Sequence, residues 1–186
     1  MLKPTNGEIL VNGIDVRKIK NEYKYKIFGY VEQKFRSING SIYENINMKN
    51  DSITKDDVIN SLKMVGIYDK ILTFENGLDE KYDDSLFSNG EKELLSIARA
   101  CAPNPKILLL DEITANLDSI TMQNVMSKLY KASNGKMILE ITHRLSSCKN
   151  SDKIIVLENG MVSSILTPTE LATDPRFKMR LVLEEL

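Results

Sequence analysis

The chain has 186 residues, enough for one domain or a piece of one, and 42% of them are apolar, an ordinary share for a globular chain. Its 25 basic and 26 acidic residues leave a net charge of −1, which gives no electrostatic reason to expect nucleic acid as a partner. No apolar run approaches the roughly 20 residues that cross a bilayer, and MLKPTNGEIL lacks the apolar centre and small-residue cleavage site of a secretory signal.

Gly7 to Gly13, GEILVNG, predicts a short strand running into an Asn-Gly turn. A polar, Lys-rich stretch follows, and Ile27 to Gln33, IFGYVEQ, predicts another strand, ending in a glutamine. From Ser41 to Gly66 the period becomes helical, with Ile42, Ile46, Val58, Leu62 and Val65 on apolar stripes and Thr54 with Asp57 resembling a capping box. Asn76 to Asp84 is polar and loop-like, and a helix from Ser88 to about Ala102 stops at Pro103. Ile107 to Leu110 predicts a strand buried on both faces, as in a parallel sheet. Ser119 to Ala132 predicts a helix with Val125, Leu129 and Ala132 on one side. Lys136 to Thr142 predicts a strand that ends at His143, the only histidine. Lys153 to Val162 predicts a second hairpin around Asn159-Gly160, and the tail from Pro168 reads as helical. The order is that of an α/β domain with a helical subdomain inserted between Gln33 and the strand at Ile107.

The run from Phe87 to Asp118, FSNGEKELLSIARACAPNPKILLLDEITANLD, carries the chemistry. Asp111 and Glu112 fall at the carboxyl end of an apolar strand, where open α/β sheets place their ligands. Two adjacent acids there suit one metal ligand and one base acting on water, the Walker B arrangement of a nucleotide triphosphatase. Ser88-Asn89-Gly90-Glu91 fits a helix capping box, and such a helix start also offers N–H groups and a positive dipole end to an anion. Read alone, Asp118 caps the next helix, Gln33 is a routine strand-end amide, and a lone His143 is more often structural than catalytic.

Together these motifs resemble the ATP-binding-cassette family, the motor domains of ABC transporters, and the resemblance covers nearly the whole chain. Ser88 to Glu91 lies on the signature motif, usually Ser-Gly-Gly-Gln preceded by Leu; Phe87 replaces the Leu, Asn89 the first Gly and Glu91 the Gln. The resemblance implies the P-loop NTPase-like ABC ATPase fold, with residues 1–35 and 103–165 as sheet core, 36–102 as helical subdomain and 166–186 as terminal helix. It implies ATP and Mg²⁺ as cofactors, with Asp111 orienting the metal shell, Glu112 polarising the attacking water and His143, in Ile-Thr-His-Arg-Leu, contacting the γ-phosphate. Gln33 matches the Q-loop glutamine that reaches the metal shell and senses the membrane domain, and Asp118 falls on the D-loop between the two nucleotide sites. Gly40-Ser41-Ile42-Tyr43-Glu44-Asn45-Ile46 looks like a stretch of exporter-type cassettes. The implied partners are a second ATPase domain in a head-to-tail dimer and a transmembrane domain, with the chain on the cytoplasmic side of the membrane and no nucleic acid involved. Glu140 departs from the apolar residue expected in its strand.

A phosphate-cradling loop needs Gly-x4-Gly-Lys-Ser/Thr, because backbone N–H groups wrap the phosphates while Lys and the hydroxyl serve phosphate and metal. The nine glycines stand at 7, 13, 29, 40, 66, 77, 90, 135 and 160, no two of them five apart, so the motif is not in these residues. The expectation is an N-terminally truncated cassette that binds ATP poorly alone and exposes apolar surface where a central strand is missing. The alternative is a non-enzymatic module that lends its signature turn and D-loop to a partner's site. An ABC ATPase acting on DNA is disfavoured by the lack of sustained heptads or a basic patch. Cys101 and Cys148 read as reduced thiols, and a Cys148–His143 nucleophile pair is set aside because no third orienting group is identifiable.

Overall fold

The structure, a computed structural model, describes residues 4–32, 34–112, 119–132 and 135–184. It divides into two compact units, residues 1–140 and 141–186. The first unit opens with the antiparallel hairpin of β1 (Leu10–Val11) and β2 (Ile14–Asp15). Asn12 and Gly13 between them both take positive φ, 49° and 78°, the conformation that makes Asn-Gly the favoured two-residue hairpin turn. A helix, α1 (Asn21–Ile27), then occupies the Lys-rich stretch for which none was expected. Its Lys20 cap makes no side-chain hydrogen bond and it buries no residue, so neither a cap nor an apolar stripe marks it in the sequence. The following strand, β3 (Phe28–Val31), begins one residue later than expected because Ile27 closes this helix.

The helical stretch between Ser41 and Gly66 is two helices, α2 (Ile42–Asn47) and α3 (Lys55–Val65), separated where Met48 and Lys49 turn left-handed. Ser41 and Thr54 cap them through reciprocal boxes with Glu44 and Asp57, and Gly66 at φ 83° ends the second. One further turn of helix, α4 (Tyr68–Ile71), follows, and the polar loop holds short 3₁₀ turns at Gly77–Asp79 and Asp84–Leu86 and an isolated β-bridge from Lys81 to Ser41. The long helix α5 (Asn89–Cys101) starts at its Ser88 cap and ends at Ala102, before Pro103. Ile42, Ile46, Val58, Leu62, Leu95 and Ile97 form the centre of the core, each contributing about 1.5–3 kcal/mol by leaving water.

The sheet lies against this core. β4 (Ile107–Asp111) runs parallel to β3 with Phe28 opposite Ile107 and Val31 opposite Leu110. The helix α6 (Ser119–Ala132) has the expected bounds and buries Val125 and Leu129, and β5 (Met137–Ile141) completes the order β3-β4-β5. Val31, Leu108 and Leu110 face the core, whereas Ile107 and Leu109 are half-buried and Tyr30 is exposed. Burial of the Ile107–Leu110 strand on both faces is therefore corrected to one, because the helices cover a single face. Gly29 lets the sheet approach α5 closely: a Cβ there would collide with the Ala100 carbonyl oxygen of that helix and stand 2.7 Å from Pro105 Cγ and 2.8 Å from Leu108 Cδ2. The carboxylate of Glu140 has a physical account, since the Tyr130 hydroxyl of α6 donates to its Oε2 at 3.2 Å.

In the second unit β6 (Ile154–Glu158) and β7 (Met161–Leu166) form the expected hairpin, with Asn159 and Gly160 at φ 51° and 76°. The tail is two helices, α7 (Pro168–Thr173) and α8 (Pro175–Glu184), split at Asp174, because Pro175 has no N–H to continue the first. Among the described residues no helix is long and apolar enough to cross a membrane.

Candidate functional site

β4 delivers Asp111 and Glu112 to the carboxyl end of a parallel pair of strands. Asp111 shares the half-open sheet face with Leu109 and, across the register, with Tyr30. The Tyr30 hydroxyl lies 3.4 Å from Asp111 Oδ2 and donates toward it. Partial burial, then the Asp111 charge, raises the Tyr30 phenol above the usual tyrosine range, so it stays a proton donor. Sequence reading missed Tyr30; its one signal was the position two residues beyond Phe28, on the face that ends at the acids. Glu112 takes φ 50°, a left-handed conformation that is uncommon outside glycine and asparagine and often marks working residues. The left-handed backbone at Glu112 follows directly on Asp111, the last residue of β4.

The signature-like turn is a well-formed cap. Glu91 N–H donates to Ser88 Oγ at 3.3 Å, and Ser88 N–H donates to Glu91 Oε2 at 2.7 Å. The same Oε2 accepts from Lys70 Nζ at 2.7 Å. Burial opposes ionisation of Glu91, but the Lys70 and Ser88 hydrogen bonds prevail and its carboxyl falls below the usual range. Phe87 is held in an aromatic group, stacked on Tyr82 at 5.7 Å and edge-on to Phe74 at 5.8 Å. The capping-box reading of Ser88 and Glu91 thus holds, with Asn89 and Gly90 in the first turn of the helix.

The helix behind that turn also grips the segment leaving β3. Ser96 Oγ donates to the Glu32 carbonyl at 3.1 Å, and one turn further Arg99 donates from Nε to the Asn45 carbonyl at 2.7 Å and from Nη1 to the Arg36 carbonyl at 2.9 Å. The Asn45 side chain closes the same segment, accepting from Ile38 N–H at 2.8 Å and donating to the Ile38 carbonyl at 3.1 Å. Gln33 and Asp118 lie outside the described residues. His143 belongs to the second unit, exposed in a turn fixed by Arg144 N–H donating to Thr142 Oγ1 at 3.0 Å.

A parallel sheet ending in two acids, with a capped helix behind it, is the frame of a nucleotide triphosphatase, and the comparisons with known proteins agree. A family model described as ABC transporter matches residues 1–115, and the chain belongs to that family as an exporter-type nucleotide-binding domain. It is 38% identical over 161 residues to the multidrug resistance protein pgp-1 of Caenorhabditis elegans, covering 86% of this chain and 12% of that protein. It is 33% identical to the alpha-hemolysin translocation ATP-binding protein HlyB of Escherichia coli, covering 92% of this chain and 25% of the relative. The mitochondrial iron-sulfur clusters transporter ABCB7 of Oryzias latipes is also 33% identical, covering 93% of this chain and 24% of the transporter. A solved bacterial Atm1-family ABC exporter with ATP bound superposes with a TM-score of 0.85 at 28% identity, covering 98% of this chain and 33% of that one. The chain thus spans a quarter or less of the length of these curated relatives.

Proposed function

We propose that this chain is the hydrolytic and signature-bearing part of the nucleotide-binding domain of an ATP-driven exporter, coupling ATP hydrolysis to movement of a substrate across a membrane. The observation that carries this reading is the pair Asp111–Glu112 at the end of β4, in a sheet whose buried face packs on the helix headed by the Ser88 turn. Asp111 suits Mg²⁺: it is a half-exposed hard-oxygen donor with a long contact from Tyr30, and Mg²⁺ is commonly held by one or two carboxylates plus substrate phosphates. When bound, the ion neutralises phosphate charge. Glu112 takes the proton of the attacking water, and Tyr30 steadies the Asp111 carboxylate. His143 and Gln33 are assigned to the γ-phosphate and metal shell, and Asp118 to communication between sites. The Ser88–Glu91 turn faces the nucleotide of a second domain in a head-to-tail dimer seated on a transmembrane domain, at the cytoplasmic side of the membrane.

These 186 residues contain no Gly-x4-Gly-Lys-Ser/Thr motif to wrap the phosphates, so on this reading the chain alone holds ATP weakly. Several charge-assisted hydrogen bonds of roughly 1.5–3 kcal/mol each are missing, a loss of several powers of ten in affinity. The intact cap at Ser88 favours a second reading, in which the chain completes a partner's site without binding ATP itself. Mixing the purified chain with the ATP-binding domain of the E. coli relative HlyB tests the proposal. Expected is association that requires ATP and is lost in Gly90→Arg, whose side chain blocks the turn; no ATP-dependent association contradicts it.

A further inference from the structure

Two of the three departures from the usual signature motif meet on one side chain. Lys70, from α4, places its ammonium 2.7 Å from Glu91 Oε2 and 5.2 Å from the centre of the Phe87 ring. Phe87 stands where a leucine is usual and Glu91 where a glutamine is usual, so the exchanged residues are the ones that hold the lysine. Both partners are partly shielded from solvent, Lys70 at 36% and Glu91 at 28% side-chain exposure, and an aromatic face lies on one side of the ammonium. The pair is thus more shielded than a fully exposed one. The other charges at the turn leave Lys70 as the cation for Glu91: Asp84 takes Lys92 at 3.5 Å and the Tyr82 hydroxyl at 2.9 Å, and Asp83 is occupied by Ser85.

We propose that Lys70 is a positioning residue of the signature turn, acting through Glu91: it cancels the carboxylate charge and pins it on the Ser88 amide, so that the turn can meet the nucleotide phosphate of a partner domain. A glutamine in this position caps without charge. A glutamate without Lys70 would set an anion against an anion, a juxtaposition that suppresses association. The inference rests on the reading that this turn faces a partner's nucleotide.

The test uses the whole 186-residue chain with the ATP-loaded ATP-binding domain of HlyB as probe, comparing wild type with Lys70→Met, Lys70→Arg, Glu91→Gln and the double variant Lys70→Met/Glu91→Gln. Circular dichroism verifies that each variant keeps its helices. Lys70→Met is expected to weaken ATP-dependent association about tenfold, Lys70→Arg to retain it, and the double variant to recover it, since removing the carboxylate removes the need for the lysine. A purely structural pair lowers association only through folding, so its losses follow each variant's denaturant midpoint, whereas the proposed role lowers association at an unchanged midpoint. Association of Lys70→Met equal to wild type, or a double variant as weak as Lys70→Met, overturns the inference and leaves the wider reading standing. Failure of the wild-type chain to associate overturns both.

Discussion

Ser88 does the work of a cap whatever else its turn contacts. Its hydroxyl accepts the Glu91 N–H at 3.3 Å, so Ser88→Ala is expected to cost about 1 kcal/mol of stability, read as a lower denaturant midpoint at unchanged slope. An unchanged midpoint would show that the helix starts without it. Cys101 gives a second residue-level prediction. Burial pushes its thiol up to about 12, against about 8.5 in an unfolded chain. The folded state keeps the proton that the unfolded state gives up, so this contribution is complete below about pH 8.5 and declines as pH rises toward 12. Alkylation of the half-buried Cys101 by iodoacetamide at pH 8 should be slower in the folded chain than in urea, because less of it is thiolate; equal rates would contradict the raised thiol. At this scale the sequence was legible where chemistry is local. Caps at Ser88 and Thr54 follow from residues three apart, and Asp111 with Glu112 from an apolar run ending in acids. Lys70 and Tyr30 were not legible, because their partners lie 21 and 81 residues away and only folding brings them together.

Among elements, α5, with a capping box and an apolar stripe, was read with nearly the observed bounds. α3 has both signals too but was read in one stretch with α2, and the hairpins were legible at their Asn-Gly turns although β7 runs on to Leu166, beyond the expected Val162. The helix at Asn21–Ile27 has neither and was missed. The strand at Ile107 was read as buried on both faces because an apolar run does not state how many layers cover it. Gly29 shows what the packed face requires. Gly29→Ala forces a methyl into Pro105 and Leu108 and is expected to cost about 1–3 kcal/mol; a stability within error of wild type would mean the sheet and the α5–β4 connection can separate freely. Arg99→Met keeps the stem and removes one bond to the Arg36 carbonyl in the segment after β3 and one to the Asn45 carbonyl of α2. Faster amide hydrogen exchange at Ile38, with the exchange of α3 unchanged, is the expected sign that Arg99 holds that segment.

For the whole molecule, the open sheet face is the main liability. Tyr30, Met137 and Leu139 are 51%, 61% and 51% exposed. Met137→Lys with Leu139→Lys is expected to reduce binding of a hydrophobic dye and aggregation while changing stability by less than about 1 kcal/mol. A cooperative, reversible unfolding transition of the unmodified chain, without dye binding, would argue that this surface is covered. On the proposed reading these residues carry the carboxylates and signature turn of an exporter's ATPase, while the Gly-x4-Gly-Lys-Ser/Thr motif that grips the phosphates is not in their sequence. Titration calorimetry of the purified 186-residue chain with MgATP addresses it most directly. The prediction is no saturable heat up to millimolar nucleotide; a single-site isotherm with a micromolar Kd would contradict it.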